Sequence, residues 1–206
     1  MSGQVEDAGR LYARLAARYD AETRFIAGIR RQAVDALALR PGETVLDAGC
    51  GTGWCLPLLA KRVGSTGRVI GFEPSEHMLA VAQSRLQQLG LSTTCLINAS
   101  GESVEIGGVP DAVLFSYTHD LLQSRASLDN IFRQTRPGTR IVATGTQLFP
   151  AWFAPGNRYL RYTHRQTITD FRNFDAPWRT LSEYCQTHRV RTTVPGSRYL
   201  FEGILG

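Results

Sequence analysis

Three features of this 206-residue sequence predict an α/β fold, a doubly wound and mostly parallel seven-stranded sheet with an antiparallel C-terminal hairpin. Apolar strand candidates alternate with helical patterns between residues 44 and 144, the order that yields parallel strands joined by right-handed helical crossovers. Three alternating glycines stand where the first strand runs into a helix. Near the C-terminus, Pro195-Gly196-Ser197 separates two strand-like runs, which is a turn signal.

Taken in order, Leu11, Leu15 and Tyr19 recur every fourth residue and predict a short amphipathic helix. Ile26, Ile29, Ala33 and Leu37 predict a second, which stops at Pro41-Gly42. The first strand is Thr44 to Ala48, followed by a helix from Leu56 to Val63 and a strand from Arg68 to Phe72. Ser75 caps the next helix and Gly90 closes it, with Met78, Ala82, Leu86 and Leu89 on one face. Strands then follow at Thr94 to Ile97 and Asp111 to Tyr117, a helix at Leu121 to Thr135 halted by Pro137-Gly138, and a strand at Arg140 to Thr144. Residues 147–179 hold eight aromatic side chains: Phe149, Trp152, Phe153, Tyr159, Tyr162, Phe171, Phe174 and Trp178. A helix near Pro177 to Thr187 and the strands Arg189 to Val194 and Tyr199 to Leu205 complete the chain.

The length suits one domain, 1–206, with a single sizeable core. At 43% hydrophobic and 20% charged, the composition excludes disordered, collagenous and coiled-coil classes. The strongest apolar run, Cys55 to Ala60, holds six residues and a proline, against the roughly 18 that a membrane span needs. Acids in Met1 to Asp7 replace the bases of a secretory signal, so a cytoplasmic location is expected. Cysteines 50, 55, 95 and 185 form neither a Cys-x-x-Cys pair nor a metal-ligand pattern with the histidines, so no metal is expected. The net charge of +5 permits an anionic partner without demanding one.

Chemistry concentrates in Val45-Leu-Asp-Ala-Gly-Cys-Gly-Thr-Gly53. Glycines let the backbone turn sharply and approach a ligand without a Cβ in the way. The helix behind them offers free N–H donors. Twenty residues past Gly53, Glu73 ends the next strand, where its carboxylate can accept both hydroxyls of a ribose. Trp54 stands where the dinucleotide fingerprint requires a third small residue, which disfavours a pyrophosphate and points to another nucleoside.

This run resembles motif I of the class I S-adenosylmethionine-dependent methyltransferases, which have a Rossmann-like fold. The resemblance extends to Tyr12-Ala-Arg-Leu-Ala-Ala-Arg-Tyr-Asp20, Glu73-Pro-Ser-Glu-His-Met-Leu79 and Pro137-Gly-Thr-Arg140, and the chain is similar to the ubiquinone/menaquinone-type and phosphoethanolamine-type small-molecule enzymes. It implies S-adenosyl-L-methionine as cofactor and S-adenosyl-L-homocysteine as product. It would place Asp47, Gly49, Cys50, Gly51 and Gly53 around the methionyl part, Glu73 and Pro74 at the ribose, Met78 on one adenine face and Ser116 beside the cofactor. Tyr12 would belong to an N-terminal helical lid spanning residues 1–40. The third family motif usually offers an aspartate to the adenine amine, whereas here the stretch reads Asn98-Ala-Ser-Gly-Glu102. Asn98 or Ser100 could accept that hydrogen bond, with Ala99 as a backbone contact.

Methyl transfer from a sulfonium chiefly requires alignment and exclusion of water. His119, in Ser116-Tyr-Thr-His-Asp120 beyond the fourth strand, is the candidate general base, and its alternative role is to cap the next helix or line the pocket without moving a proton. The aromatic segment 147–179 would roof the substrate, and its arginines at 158, 161, 165, 172 and 179 would suit an anionic or conjugated acceptor. The expected function is methyl transfer to a nitrogen or oxygen of a small molecule, by a monomer or homodimer. The competing readings are RNA or protein methylation, which lacks its Asn-Pro-Pro-Tyr signature here, and a cofactor-binding scaffold that does not methylate.

Overall fold

A computed structural model describes residues 26–149, 153–164, 173–193 and 197–206. Its elements run α1 (Ala27–Ala36), β1 (Thr44–Ala48), α2 (Leu56–Val63), β2 (Arg68–Phe72), α3 (Glu76–Leu89), β3 (Thr94–Ile97), β4 (Ala112–Ser116), α4 (His119–Gln123), α5 (Arg125–Arg133), β5 (Arg140–Thr146), α6 (Ala154–His164), α7 (Arg179–Ser182), β6 (Cys185–Thr192) and β7 (Arg198–Leu205). The strands form one seven-stranded sheet in the order β3-β2-β1-β4-β5-β7-β6. Strands β1 to β5 are parallel, and the β6–β7 hairpin joins antiparallel to β5. The order turns back between β1 and β4, so their carboxyl ends open a crevice there.

Both sheet faces are covered. On one face, Ala33, Val34 and Leu37 of the α1 region, Leu56, Leu59 and Val63 of α2 and Ala82 and Leu86 of α3 pack on Val45, Val69 and Leu114. On the other, Leu122 of α4, Leu128, Ile131 and Phe132 of α5 and Leu181 of α7 pack on Leu46, Ile70, Phe115 and Phe201. The strands are therefore apolar on both sides, as buried parallel strands require. Asp111 locks β1 to β4 from below, its Oδ2 accepting from the Thr44 amide at 2.9 Å.

β1, α2, β2, α3 and β3 lie where the sequence predicts them, and Ser75 and Gly90 cap α3. The α3 face is shifted, however. Val81, Ala82 and Leu86 are buried while Leu89, beside the closing glycine, is exposed. The single helix expected over 121–135 is two, because Ser124 is extended (φ −87°, ψ 100°) and its Oγ accepts from the Ser127 amide, restarting the helix. The helix expected near 177–187 is only Arg179–Ser182, since residues from Cys185 pair with β7 and are drawn into β6. Helix α6 was hidden in the aromatic segment. The helix expected around Leu11 to Tyr19, together with Tyr12, lies outside the described residues, as does the Pro195-Gly196 turn. No helix among the described residues is long and apolar enough to cross a membrane.

Candidate functional site

The loop leaving β1 turns through three left-handed glycines, with φ of +70° at Gly49, +55° at Gly51 and +73° at Gly53. Two of them are also close approaches. A Cβ on Gly49 would stand 2.6 Å from Thr118 Cγ2, and one on Gly53 would stand 2.9 Å from Leu56 Cδ1 and 3.0 Å from Ala82 Cβ. The loop is thereby clamped between the β4–α4 junction and α3. At Gly51 the nearest atom to such a Cβ is Met78 Sδ at 3.6 Å, which leaves that side of the loop open and sets Met78 beside it.

Glu73 is held at the end of β2 by the chain's own amides. Its Oε2 accepts from the Gly51 N–H at 3.2 Å and its Oε1 from the Ser75 N–H at 3.0 Å. Asn98, one strand further out, donates its Nδ2 to the carbonyls of Glu73 at 3.1 Å and Pro74 at 3.3 Å. The carboxamide nitrogen is thus committed to the backbone, and Oδ1 is the end left to accept. Ser100 is occupied differently: its carbonyl accepts from Ser103 and Val104 in a turn, and its hydroxyl lies 2.9 Å from that of Ser103. The structure brings Asn98, and not Ser100, onto Glu73, while Ala99 packs against the core.

Further into the crevice the site becomes dry. Asp47 is 1% exposed, and its Oδ2 has no hydrogen-bond partner among the described residues. Burial pushes its carboxyl up to about 7, a rise that the Arg30 cation opposes and the Glu73 charge adds to. Burial likewise pushes the Cys50 thiol up, and the Cys55 thiol to about 12, so both stay protonated. Cys55 Sγ contacts Ser116 Oγ at 3.8 Å.

Four polar residues that sequence reasoning passed over complete this end of the site. Arg30 is buried, with its guanidinium carbon 5.4 Å from the ring centroids of both Trp54 and Tyr117. Its Nε and Nη1 have no hydrogen-bond partner among the described residues, and the same holds for Tyr117 Oη, Thr118 Oγ1 and Thr52 Oγ1. Tyr117 has a left-handed backbone (φ +61°), and burial pushes its phenol up to about 12 against the pull of Arg198 and Arg30. Trp54 half-covers this cluster, whereas the tight helix contact falls at Gly53. The signal in the sequence was Arg30 itself, a charge set on the apolar stripe of Ile26, Ile29, Ala33 and Leu37.

His119 opens α4, with its ring set edge-on to Phe174 at 4.7 Å. Phe174 is buried, and its carbonyl accepts from the Leu148 amide at 2.8 Å, which ties this part of the aromatic segment to the chain leaving β5. Trp178 packs on Tyr199 of β7 at 4.8 Å. Trp152, Phe171, Arg165 and Arg172 lie outside the described residues.

Residues 45–138 match the model of a family described as a methyltransferase domain. Over 124 residues the chain is 30% identical to a demethylmenaquinone methyltransferase from Oceanobacillus iheyensis, covering 57% of this chain and 50% of the relative. Over 138 residues it is 32% identical to nocamycin O-methyltransferase from Saccharothrix syringae, covering 66% of this chain and 49% of the relative. The matched stretches span about half, or less, of the curated relatives' own length. Among solved structures, a SAM-dependent methyltransferase from Aquifex aeolicus superposes with a TM-score of 0.72 at 18% identity, covering 94% of this chain and 98% of that one, a likeness of fold.

Proposed function

We infer that the chain is a class I S-adenosylmethionine-dependent methyltransferase, and we propose that it transfers a methyl group to an oxygen or nitrogen of a small molecule. The observation that carries the reading is the Glu73 carboxylate, oriented by the Gly51 and Ser75 amides beside an open left-handed glycine loop. Such an arrangement suits the hydroxyls of a ribose. The buried atoms of Asp47, Arg30 and Thr52 that lack a partner among the described residues fit a polar ligand at the loop's inner end, since buried polar groups are ordinarily satisfied.

In this reading Glu73 accepts the ribose hydroxyls, with Pro74 beside it, and Asp47 and Cys50 border the methionyl part. Gly49, Gly51 and Gly53 line the methionyl chain, Met78 covers one adenine face, and Asn98 accepts from the adenine amine through Oδ1. Ala99 and Ser100 border the base, and Ser116 borders the sulfur. When bound, S-adenosylmethionine supplies an electrophilic methyl group for in-line displacement. The protein's own part is alignment and exclusion of water, for which Phe174, edge-on to His119 at the start of α4, is suited. His119, edge-on to Phe174, either takes the acceptor's proton or orients it. Tyr12 would close the lid from the N-terminal side.

The acceptor class is proposed as a ring-bearing small molecule. This is supported by the aromatic lining and by relatives named for demethylmenaquinone and nocamycin. The test is methylation of a panel of phenols, quinols and arylamines followed by release of S-adenosylhomocysteine, with calorimetry of the cofactor alongside. Heat with NAD, and none with S-adenosylmethionine or its demethylated product, would overturn the reading. With an acceptor in hand, His119→Ala that lowers kcat at every pH without removing an acidic limb would assign His119 to positioning.

A further inference from the structure

Positive charge and exposed aromatic surface coincide on one helix, and neither serves the crevice. Residues 130–169 contain no aspartate or glutamate, and the later part of that run carries Arg158, Arg161 and Arg165 among Phe149, Trp152, Phe153, Tyr159 and Tyr162. Helix α6 (Ala154–His164) lies within it. Four large hydrophobic side chains are exposed among the described residues, and two of them, Phe153 at 41% and Tyr162 at 62%, stand at either end of this helix. Arg158, between them, is exposed as well.

The inner side of α6 is accounted for by the fold. Leu160 is buried. Asn157 ties the helix to the chain leaving β5, its Oδ1 accepting from the Phe149 amide at 2.8 Å and its Nδ2 donating to the Phe149 carbonyl at 3.1 Å. The Phe149 ring stands edge-on to Phe153 at 5.2 Å. The outer side is a different surface. Pro155, Arg158 and Tyr162 follow one another at intervals of three and four residues, the spacing of a single helix face, and all three are exposed. Seven other arginines sit in ion pairs, whereas no carboxylate among the described residues pairs with Arg158.

A face that joins a cation to amphipathic aromatic side chains and excludes acids complements an anionic lipid surface. Guanidinium groups meet the headgroup phosphates there, while tyrosine and phenylalanine rings settle at the boundary between headgroups and acyl chains. Single-stranded nucleic acid shares the phosphate chemistry, but holding it takes a basic groove that tracks the backbone. The seven paired arginines are not available for such a groove. The position of α6 also orients the molecule. Strand β5 runs parallel to β4 and β1, so the chain that leaves it, and the helix tied to that chain, emerge at the end of the sheet on which the crevice opens.

We propose that the outer face of α6, with Arg158 and Tyr162 at its centre and Phe153 at its edge, docks the protein on an anionic lipid membrane. The docking goes beyond the methyl-transfer reading and does not depend on it. The test is co-sedimentation of the whole chain with two kinds of vesicle, phosphatidylcholine alone and phosphatidylcholine with an equal part of phosphatidylglycerol. The native chain is expected to bind the mixed vesicles tenfold or more tightly than the neutral ones, and to lose most of that preference as salt rises from about 50 to 300 mM. Each basic side chain at such a surface is worth about fivefold. Reversing one, in Arg158→Glu, should therefore weaken binding to the mixed vesicles by tenfold or more and leave binding to the neutral ones unchanged. Tyr162→Ala should weaken binding to both kinds alike, by threefold or more, because its contribution is apolar, and Tyr162→Trp should restore it. Both positions are exposed, so the variants' melting temperatures are expected to stay within about 2 °C of the native value.

A native chain that sediments equally with and without the mixed vesicles overturns the proposal, as does vesicle binding that neither substitution changes. Binding to a single-stranded RNA that Arg158→Glu abolishes, with no binding to vesicles, overturns it in favour of nucleic acid. Calorimetry of the native chain with S-adenosylhomocysteine, in the absence of lipid, keeps the two readings apart. Vesicle binding without heat from that ligand would leave the docking standing and remove the cofactor reading, and the converse result would do the reverse.

Discussion

A carboxyl group buried as deeply as that of Asp47 makes the stability of the molecule depend on pH with an unusual sign. Its pKa rises from an ordinary value near 4 in the unfolded chain to about 7 in the folded one. Between those values the folded state holds a proton that the unfolded state has released, so this group's contribution to stability falls as pH rises from 4 to 7 and is level above. The span corresponds to about 4 kcal/mol. Asp47→Asn removes the titration, so the variant's melting temperature should match the native one near pH 4 and exceed it at pH 8 in the absence of ligand. Equal melting curves at both values would mean that Asp47 is charged and compensated in the folded state. The loop glycines divide in a second experiment. Gly49→Ala combines a left-handed φ with a 2.6 Å clash against Thr118 and should destabilise the fold by well over 1 kcal/mol. Gly51→Ala meets only Met78 Sδ at 3.6 Å, so its cost in stability stays near 1 kcal/mol and its main effect should appear as lost nucleoside affinity. The glycines and Glu73 were legible because glycine spacing and a strand-end acid are local features. Arg30, Tyr117 and Thr118 were not, because their association depends on α1 and β4 meeting across the sheet, and one-dimensional periodicity treats a charge on an apolar stripe as an interruption.

At the level of elements, α3 links local capping to the ribose-facing carboxylate. Ser75 Oγ accepts from the Met78 amide at 3.3 Å while its own N–H holds Glu73 Oε1. Ser75→Ala should cost about 1 kcal/mol through the lost cap, which in a chain of this size lowers the melting temperature by roughly 2–4 °C. Since the Ser75 N–H survives, nucleoside affinity should fall by less than for Glu73→Ala, and thermal shift with binding on the same two variants checks the order. The parallel strands could be located from sequence because burial on both faces makes them short apolar runs with turn residues at each end. The C-terminal elements were harder to bound. Gln186, His188 and Arg189 are exposed in edge strand β6, whose ladder is formed only with β7, so nothing local distinguishes residues 185–188 from a continuing helix. The break at Ser124 was hidden for the opposite reason: apolar residues continue on both sides of it, and only the serine's bond to the Ser127 amide marks a new start.

At the scale of the molecule, seven of the described arginines are engaged in ion pairs. Arg62 pairs with Asp35, Arg125 with Glu183, Arg136 with Asp111, Arg140 with Glu43 and Arg179 with Asp175, while Arg189 and Arg191 share Glu202. Exposed pairs of this kind contribute little to stability, but they leave those arginines already engaged with carboxylates, which argues against phosphate tracking as their role. Among the described residues, buried side-chain atoms without a partner gather around the carboxyl ends of β1 and β4, in Asp47, Arg30, Thr52, Tyr117 and Thr118, with Thr94 of β3 apart from them. A ligand that satisfies these atoms binds only the folded chain and should raise its stability by mass action. At one hundred times its dissociation constant, S-adenosylhomocysteine is expected to add about 2.7 kcal/mol, a melting shift of roughly 5–10 °C. NAD, the ligand of the dinucleotide fingerprint from which the sequence departs at Trp54, should leave the melt unmoved. The shift should also persist when salt is raised from 50 to 300 mM, because the contacts are buried and weakly screened. An RNA ligand held by surface arginines would lose orders of magnitude in affinity over that range. A melting shift that appears with RNA, vanishes with salt and is absent with S-adenosylhomocysteine would move the binding function from the crevice to the surface.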